Sequence, residues 1–174
     1  MNKLDLYNNL GNELLKNGRI FKKKVFDIKK NNIYKTNSTV IKNIFNNLGM
    51  TIENFADRTY YYLDLSTMKD IIKTDWTDKR IYLKETFDCD DFAFAFKSHL
   101  SEIYQINGIG LAKHIQVTLS TGEKVFHRAV IFLARDNGLI VPFFLETQND
   151  NLGKIINKNI KLGNWSYKLS SVEF

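Results

Sequence analysis

Up to Leu100 the apolar positions of this chain recur at helical spacing, and beyond Lys113 they alternate with polar ones. In "KLDLYNNLGNELLKNG" Leu4, Leu6, Tyr7, Leu10, Leu14 and Leu15 predict a short helix ending at Gly18. "STVIKNIFNNLG" carries Val40, Ile41, Ile44, Phe45 and Leu48, a second helix stopped at Gly49. "STMKDIIKTDW" reads as a third, with Ser66 as its candidate N-cap. "ETFDCDDFAFAFKSHL" is a fourth, aligning Cys89, Ala93, Phe96 and Leu100 on one stripe. Strands follow: "KHIQVTLS", a turn at "TGEK", "VFHRAVIFLA", a turn at "RDNG", "LIVPFFLETQ", and a last strand within "IKLGNWSYKLSSVEF". Helices first and antiparallel strands second predict an α+β fold.

Composition narrows the class. At 174 residues the chain is expected to be one domain, and 44% hydrophobic with 13% aromatic residues excludes a disordered chain. A single cysteine excludes an internal disulfide. No apolar run has membrane-spanning length, and the polar, amphipathic "MNKLDLYNNLGNELLKNG" is no secretory signal. Synthesis in the cytoplasm and no membrane partner are therefore expected. The net charge of +6 concentrates in "RIFKKKVFDIKKNNIYK". That run suits an anionic surface, but no nucleic-acid motif accompanies it, so it reads as solvated lysines and no nucleic-acid partner is expected.

The chemistry gathers around the one thiol. With Asp88 as N-cap, Cys89 is the first helical residue and Asp91 the third, an Asp version of the capping box. Phe87 and Phe92 then occupy the two positions of a hydrophobic staple. A helix start favours a thiolate, whereas two adjacent carboxylates oppose it. Taken alone, Cys89 also reads as a small buried residue with the acids as helix-start decoration. Among the histidines, His99 lies almost three turns along the same helix, out of reach of the thiol, and reads as a partly exposed helix residue. His114 reads as a surface residue at a strand start. His127 shares a strand face with Val125, Ala129 and Ile131. If Asn137-Gly138 centres a hairpin, paired residues sum to 275, which sets His127 opposite Gln148 and Ala129 opposite Glu146. Glu146 is then diagonal to the imidazole, a base-and-orienter arrangement that equally describes a satisfied core histidine. Pro142 in the second strand threatens this register with a bulge.

Cys89, His127 and Glu146 follow the chain order of papain-like cysteine peptidases. The strings "TDWTDKRIYLKETFDCDDFAFAFK", "FHRAVIF" and "FLETQND" resemble above all the calcium-dependent C-terminal protease domain of the fairy-ring mushroom agglutinin, a chimeric lectin. The resemblance spans residues 60 to 150. It implies papain-like architecture for 56–174, a helical half followed by an antiparallel sheet, preceded by a helical extension over 1–55. It implies a calcium-dependent cysteine endopeptidase acting on protein or peptide substrates, with Cys89 as nucleophile, His127 as base and Glu146 as orienting residue. It also implies calcium ligands among Asp90, Asp91, Gln148 and Asp150, with Asn149 a further candidate, and these are hard oxygen donors that suit that ion. One departure stands out: Leu83 occupies the position where such enzymes carry an oxyanion-hole glutamine. The Cys89 N–H then needs a second donor, Trp76 or Lys84. Two alternatives accompany this reading. A transglutaminase-like acyl transferase or deamidase uses the same triad, and a basic module binding nucleic acid or glycans needs none.

Overall fold

The computed structural model describes residues 33–174. The helix predicted to end at Gly18, and the basic run before Ile33, lie outside the described residues. Among the described residues no helix is long and apolar enough to cross a membrane.

In chain order the elements are β1 (Ile33–Asn37), α1 (Ser38–Asn47), β2 (Thr51–Asn54), β3 (Thr59–Asp64), α2 (Leu65–Thr74), α3 (Cys89–His99), β4 (Ile109–Thr118), β5 (Lys124–Asp136), β6 (Leu139–Glu146), β7 (Asn151–Lys154), β8 (Asn159–Leu162), β9 (Trp165–Lys168) and β10 (Ser171–Glu173). A 3₁₀ turn at Thr77–Lys79 precedes α3, and one turn of π-helix, Leu100–Tyr104, ends it. The helix ends follow local chemistry. Asn37 accepts the Val40 N–H at the start of α1, and Gly49, at φ 72°, follows its end. Asp64, not Ser66, caps α2 by accepting the Thr67 N–H at 2.9 Å.

The strands form one ten-stranded sheet with the path β1-β3-β5-β4-β10-β2; β6 and β7 branch from β5, and β9 and β8 from β4. This overturns the expected helical half followed by an antiparallel sheet. Among the described residues strands begin at Ile33 and outweigh helix, and β3–β5 and β10–β2 are parallel pairs. β1 and β2 belong to the same sheet as the strands after residue 56. The missed strands are short, and β2 and β10 are paired across most of the chain, which spacing along a sequence cannot reveal. β3, "TYYYLD", did carry a signal: Tyr60 and Tyr62 are buried and Tyr61 exposed, the alternation of a strand.

β5 and β6 are apolar on both faces, as suits strands covered on both sides. On one face Ala129, Ile131 and Leu133 join Phe144, Tyr62 and the α1 residues Ile41 and Phe45 in the main core. On the other, α3 lies across β5: Phe94 stacks against Arg128, and Asp90 stands 4.0 Å from the same guanidinium. Phe92, Ala93 and Phe96 are buried beneath the helix.

Gly110 permits β4 to lie against β10. A Cβ there would sit 2.6 Å from Val172 Cγ2 and 3.0 Å from the Glu173 carbonyl. Gly110→Ala is therefore expected to destabilise the fold by about 1–3 kcal/mol through overpacking, read by denaturant unfolding. Unchanged stability would show that β10 moves aside freely.

Candidate active site

Local rules place the thiol. The Asp88 N–H donates to Asp91 Oδ2 at 3.1 Å, the reciprocal half of the expected capping box, and Phe87 packs on Phe92 with ring centroids 4.8 Å apart as the staple. A backbone bridge between Leu83 and Phe87 holds the approach to the helix. Because Ala93, Phe96 and Leu100 are buried on the same stripe, Cys89 sits at its half-buried outer end with its helix-start N–H free for other partners.

The imidazole comes from β5. The β5–β6 ladder runs from Asp136–Leu139 to Val130–Leu145 with constant residue sum, so the expected register holds and Pro142 causes no bulge. Its carbonyl still accepts the Ile155 N–H at 3.0 Å. The two strands then part, and from Lys124 to Ala129 only β4 pairs with β5. At the mouth of that gap His127 Nε2 meets Glu146 Oε2 at 2.6 Å. Glu146 is fully buried, and it is also reached by the Tyr167 hydroxyl (3.5 Å) and the Gln148 N–H (3.4 Å). Gln148 itself does not pair with His127, since β6 ends at Glu146 and the chain turns.

Burial opposes a charge on His127, but the hydrogen bonds from the imidazole to Cys89 and Glu146 outweigh it and push its pKa up to about 9. With Nε2 engaged by Glu146, Nδ1 is the nitrogen left for the thiol. Burial and the neighbouring Glu146 raise the Tyr167 pKa, which keeps that hydroxyl a donor. The arrangement brings a thiol and an orienting carboxylate to the same imidazole, the grouping that a nucleophilic thiol and its base require.

Two clefts meet at Cys89 and His127, divided by Phe126, which is 81% exposed. One, of about 300 Å³, is polar and lined by Asp90, His114 and Arg128. The other, of about 280 Å³, is lined by Tyr82, Val117, Leu119, Val125, Gln148 and Trp165. Sequence reasoning missed Phe126, Tyr82, Trp165 and the place of His114. An exposed phenylalanine between Val125 and His127 was visible in the alternation. The other three converge on the site only through the sheet. His114 is exposed, as expected, and occupies a bulge at φ 52°. His99 is more constrained than expected: Asp75 binds its Nδ1 at 2.9 Å and Trp76 packs on its ring at 5.0 Å. Trp76 also carries the Arg80 guanidinium on its ring at 4.1 Å, and that guanidinium lies 5.1 Å from the Phe87 ring.

The four residues expected to bind calcium are not drawn into one cluster. Asp90 groups with Asp88 and Cys89, their ligand atoms all lying within 4.8 Å of one another. The bond between Asp88 and Asp90 lowers the pKa of the first and raises that of the second. Asp91 is engaged in the cap, and Gln148 lines the second cleft. Asp150, in a left-handed turn at φ 57°, lies near Asp78 and Asp75; burial, with those charges, pushes its pKa up to about 6.

No family model and no curated protein matches the chain. Among solved structures it is similar to one described as "PSL1a-E64 complex", with a TM-score of 0.55 and 20% identity over 80% of this chain and 51% of that one. It is similar also to the Polyporus squamosus lectin bound to the human-type influenza-binding epitope Neu5Acα2-6Galβ1-4GlcNAc, with a TM-score of 0.53 and 19% identity over 80% and 49%. The chain thus spans about half the length of each. At these identities the likeness is one of fold. It is a sheet-rich fold shared with a lectin structure, and neither description names a peptidase. The expected papain-like α+β architecture, and with it the expectation of a calcium-dependent cysteine endopeptidase, is corrected on these findings.

The raised His127 pKa makes a stability prediction. A histidine whose pKa rises from 6.5 unfolded to about 9 folded stabilises fully below pH 6.5, and the contribution disappears as pH climbs through 9. The melting temperature should fall across that window. Glu146→Gln is expected to cost about 1–3 kcal/mol at neutral pH and to flatten the fall. An identical pH slope in both proteins would show that the pair does not hold the charge.

Proposed function

We propose that the chain carries a thiol-dependent acyl-transfer centre of transglutaminase-like or deamidase-like chemistry. The observation that carries this reading is the 2.6 Å bond from the buried Glu146 to His127, with Cys89 acting on the same imidazole. The Cys89 thiolate attacks the carbonyl carbon of a side-chain carboxamide, forming a C–S bond. The oxyanion is stabilised by the Cys89 N–H at the start of α3. The C–N bond breaks as His127 protonates the departing ammonia, leaving a thioester. An amine or water, deprotonated by His127, then takes the acyl group. Glu146 holds the ring and stabilises its charge throughout. Phe126 and the apolar cleft with Tyr82 and Trp165 would bind the substrate's flanking apolar groups.

Fast alkylation at mildly acidic pH is the test. Iodoacetamide and E64, an epoxide that a thiolate opens, should label Cys89 about 10–100-fold faster than a free thiol at pH 6.5, because a free thiol is largely protonated there. His127→Ala should return the rate to that of a free thiol. Incorporation of a fluorescent primary amine into casein, or release of ammonia from it, should be abolished in Cys89→Ala. Labelling of the unaltered protein at the free-thiol rate would end the proposal.

A hard cation beside Asp150 would relieve the charge it shares with Asp78, whose one carboxylate oxygen pairs with Lys79 while Oδ1 is buried without a partner. Calcium would be held there by Asp150 and Asp78, where it would offset their mutual repulsion. Millimolar calcium should then raise the melting temperature relative to chelator, and Asp150→Asn should remove most of that rise. An equal rise in the variant would dismiss the site.

Glycan binding is the second reading, favoured by the fold neighbour described with a bound glycan. It requires no chemistry at Cys89 and is tested separately below.

A further inference from the structure

Beyond the thiol centre, the sheet presents a second surface. In the β8–β9–β4–β5 corner the register aligns two cross-strand rows. One runs Asn159–Lys168–Gln116–Phe126, and the other Lys161–Ser166–Thr118–Lys124. Their side chains share one face, because alternate residues Ile160, Tyr167 and Val117 point into the core. The outward face is exposed or half-exposed and forms a cleft of about 410 Å³. Neighbouring strands lie about 4.8 Å apart, so Lys161 and Lys124 stand roughly 14 Å from one another across the corner, with Lys168 between them in the adjoining row.

The chemistry of this cleft is uniform. No carboxylate lines it. Among the described residues the lysine ion pairs use Lys79, Lys113 and Lys154, so Lys124, Lys161 and Lys168 have no acidic partner. Between the lysines stand amides and hydroxyls, which donate and accept hydrogen bonds as sugar hydroxyls require. The one aromatic residue in the lining, Tyr167, is 2% exposed and directs its hydroxyl to Glu146, so the only ring open to stacking on this face is the single exposed Phe126 at the end of the first row.

We infer that this corner of the sheet binds an acidic saccharide, its carboxylate or sulfate groups met by the three lysines and its hydroxyls by the amides and hydroxyls between them. The inference deepens the glycan-binding reading by naming the surface and the ligand class, and it is independent of Cys89. The rows lie on the outward face of the corner, whereas His127 is on the core face of β5 with Ala129 and Ile131.

The test compares retention of the full chain on immobilised polysialic acid (carboxylated), heparin (sulfated), dextran (neutral) and single-stranded DNA. Retention on one or both acidic saccharides and not on dextran is expected, weakening as salt rises. The two acidic supports distinguish carboxylate from sulfate as the recognised anion. Lys124→Ser/Lys161→Ser/Lys168→Ser should weaken binding about tenfold or more. The charge-matched control Lys42→Ser/Lys69→Ser/Lys73→Ser should bind as the unaltered chain does. Gln116→Ala, which changes no charge, should also weaken saccharide binding. Cys89 alkylation should proceed at its original rate in every variant. Equal losses in the two triple variants would reduce the effect to net charge and overturn the inference, as would DNA binding as tight as that of the saccharides. If the unaltered chain binds saccharide and the groove variant keeps it, the groove is refuted while glycan binding stands. If the unaltered chain binds none, both fall.

Discussion

A carboxylate enclosed as completely as Glu146 is tolerable only when its charge is met, and the His127 imidazole meets it at 2.6 Å. That requirement ties three strands together. Glu146 ends β6, His127 belongs to the stretch of β5 where β6 has already departed, and Tyr167 donates from β9. The gap between the two strands is thus what leaves room for this contact. A fully paired β5 would close the edge at which the thiol and the imidazole meet.

The helix that brings the thiol there is aimed by its own first turn and by the sheet beneath it. The cap and the Phe87–Phe92 staple fix the entry of α3, while Phe94 on Arg128 and Asp90 near the same guanidinium hold it on the outer face of β5. Cys89 therefore comes from one side of the sheet and Glu146 from the other, and His127 mediates between them. The two acids beside the thiol are accounted for separately. Asp91 serves the cap, and Asp90 shares a hydrogen bond with Asp88 that raises the Asp90 pKa and lowers that of Asp88.

The fold is shared with structures about twice as long as the matched region, one of them described with a bound glycan. Within the present chain the thiol centre and the lysine rows are distinct surfaces that meet at Phe126. The first lies at a sheet gap and is closed by buried charge. The second is an open corner whose charges have no partners in the chain. Physical chemistry therefore allows them to be probed independently, one by thiol reactivity and the other by salt-sensitive retention.

Features governed by near neighbours were legible in the sequence. The helix starts at Ser38 and Cys89, the reciprocal cap at Asp88 and Asp91, the staple, and the hairpin register that carries Glu146 toward His127 all depend on residues within a few turns or across one tight turn. Asn137 and Gly138, both at positive φ, set that register locally, and Pro142 did not disturb it. Other features required the tertiary structure. The parallel pairs β3–β5 and β10–β2 join segments with no local signal of partnership, so the mostly-sheet architecture was hidden behind three helical periodicities. Asp150 lies near Asp78 and Asp75, and Trp76 packs on His99, contacts between segments far apart in sequence that no local spacing announces. Sequence by itself determined which side chains could do chemistry and how each element begins. The sheet alone decided which of them meet, since long-range pairing is a property of the folded whole and leaves no periodicity in any one segment.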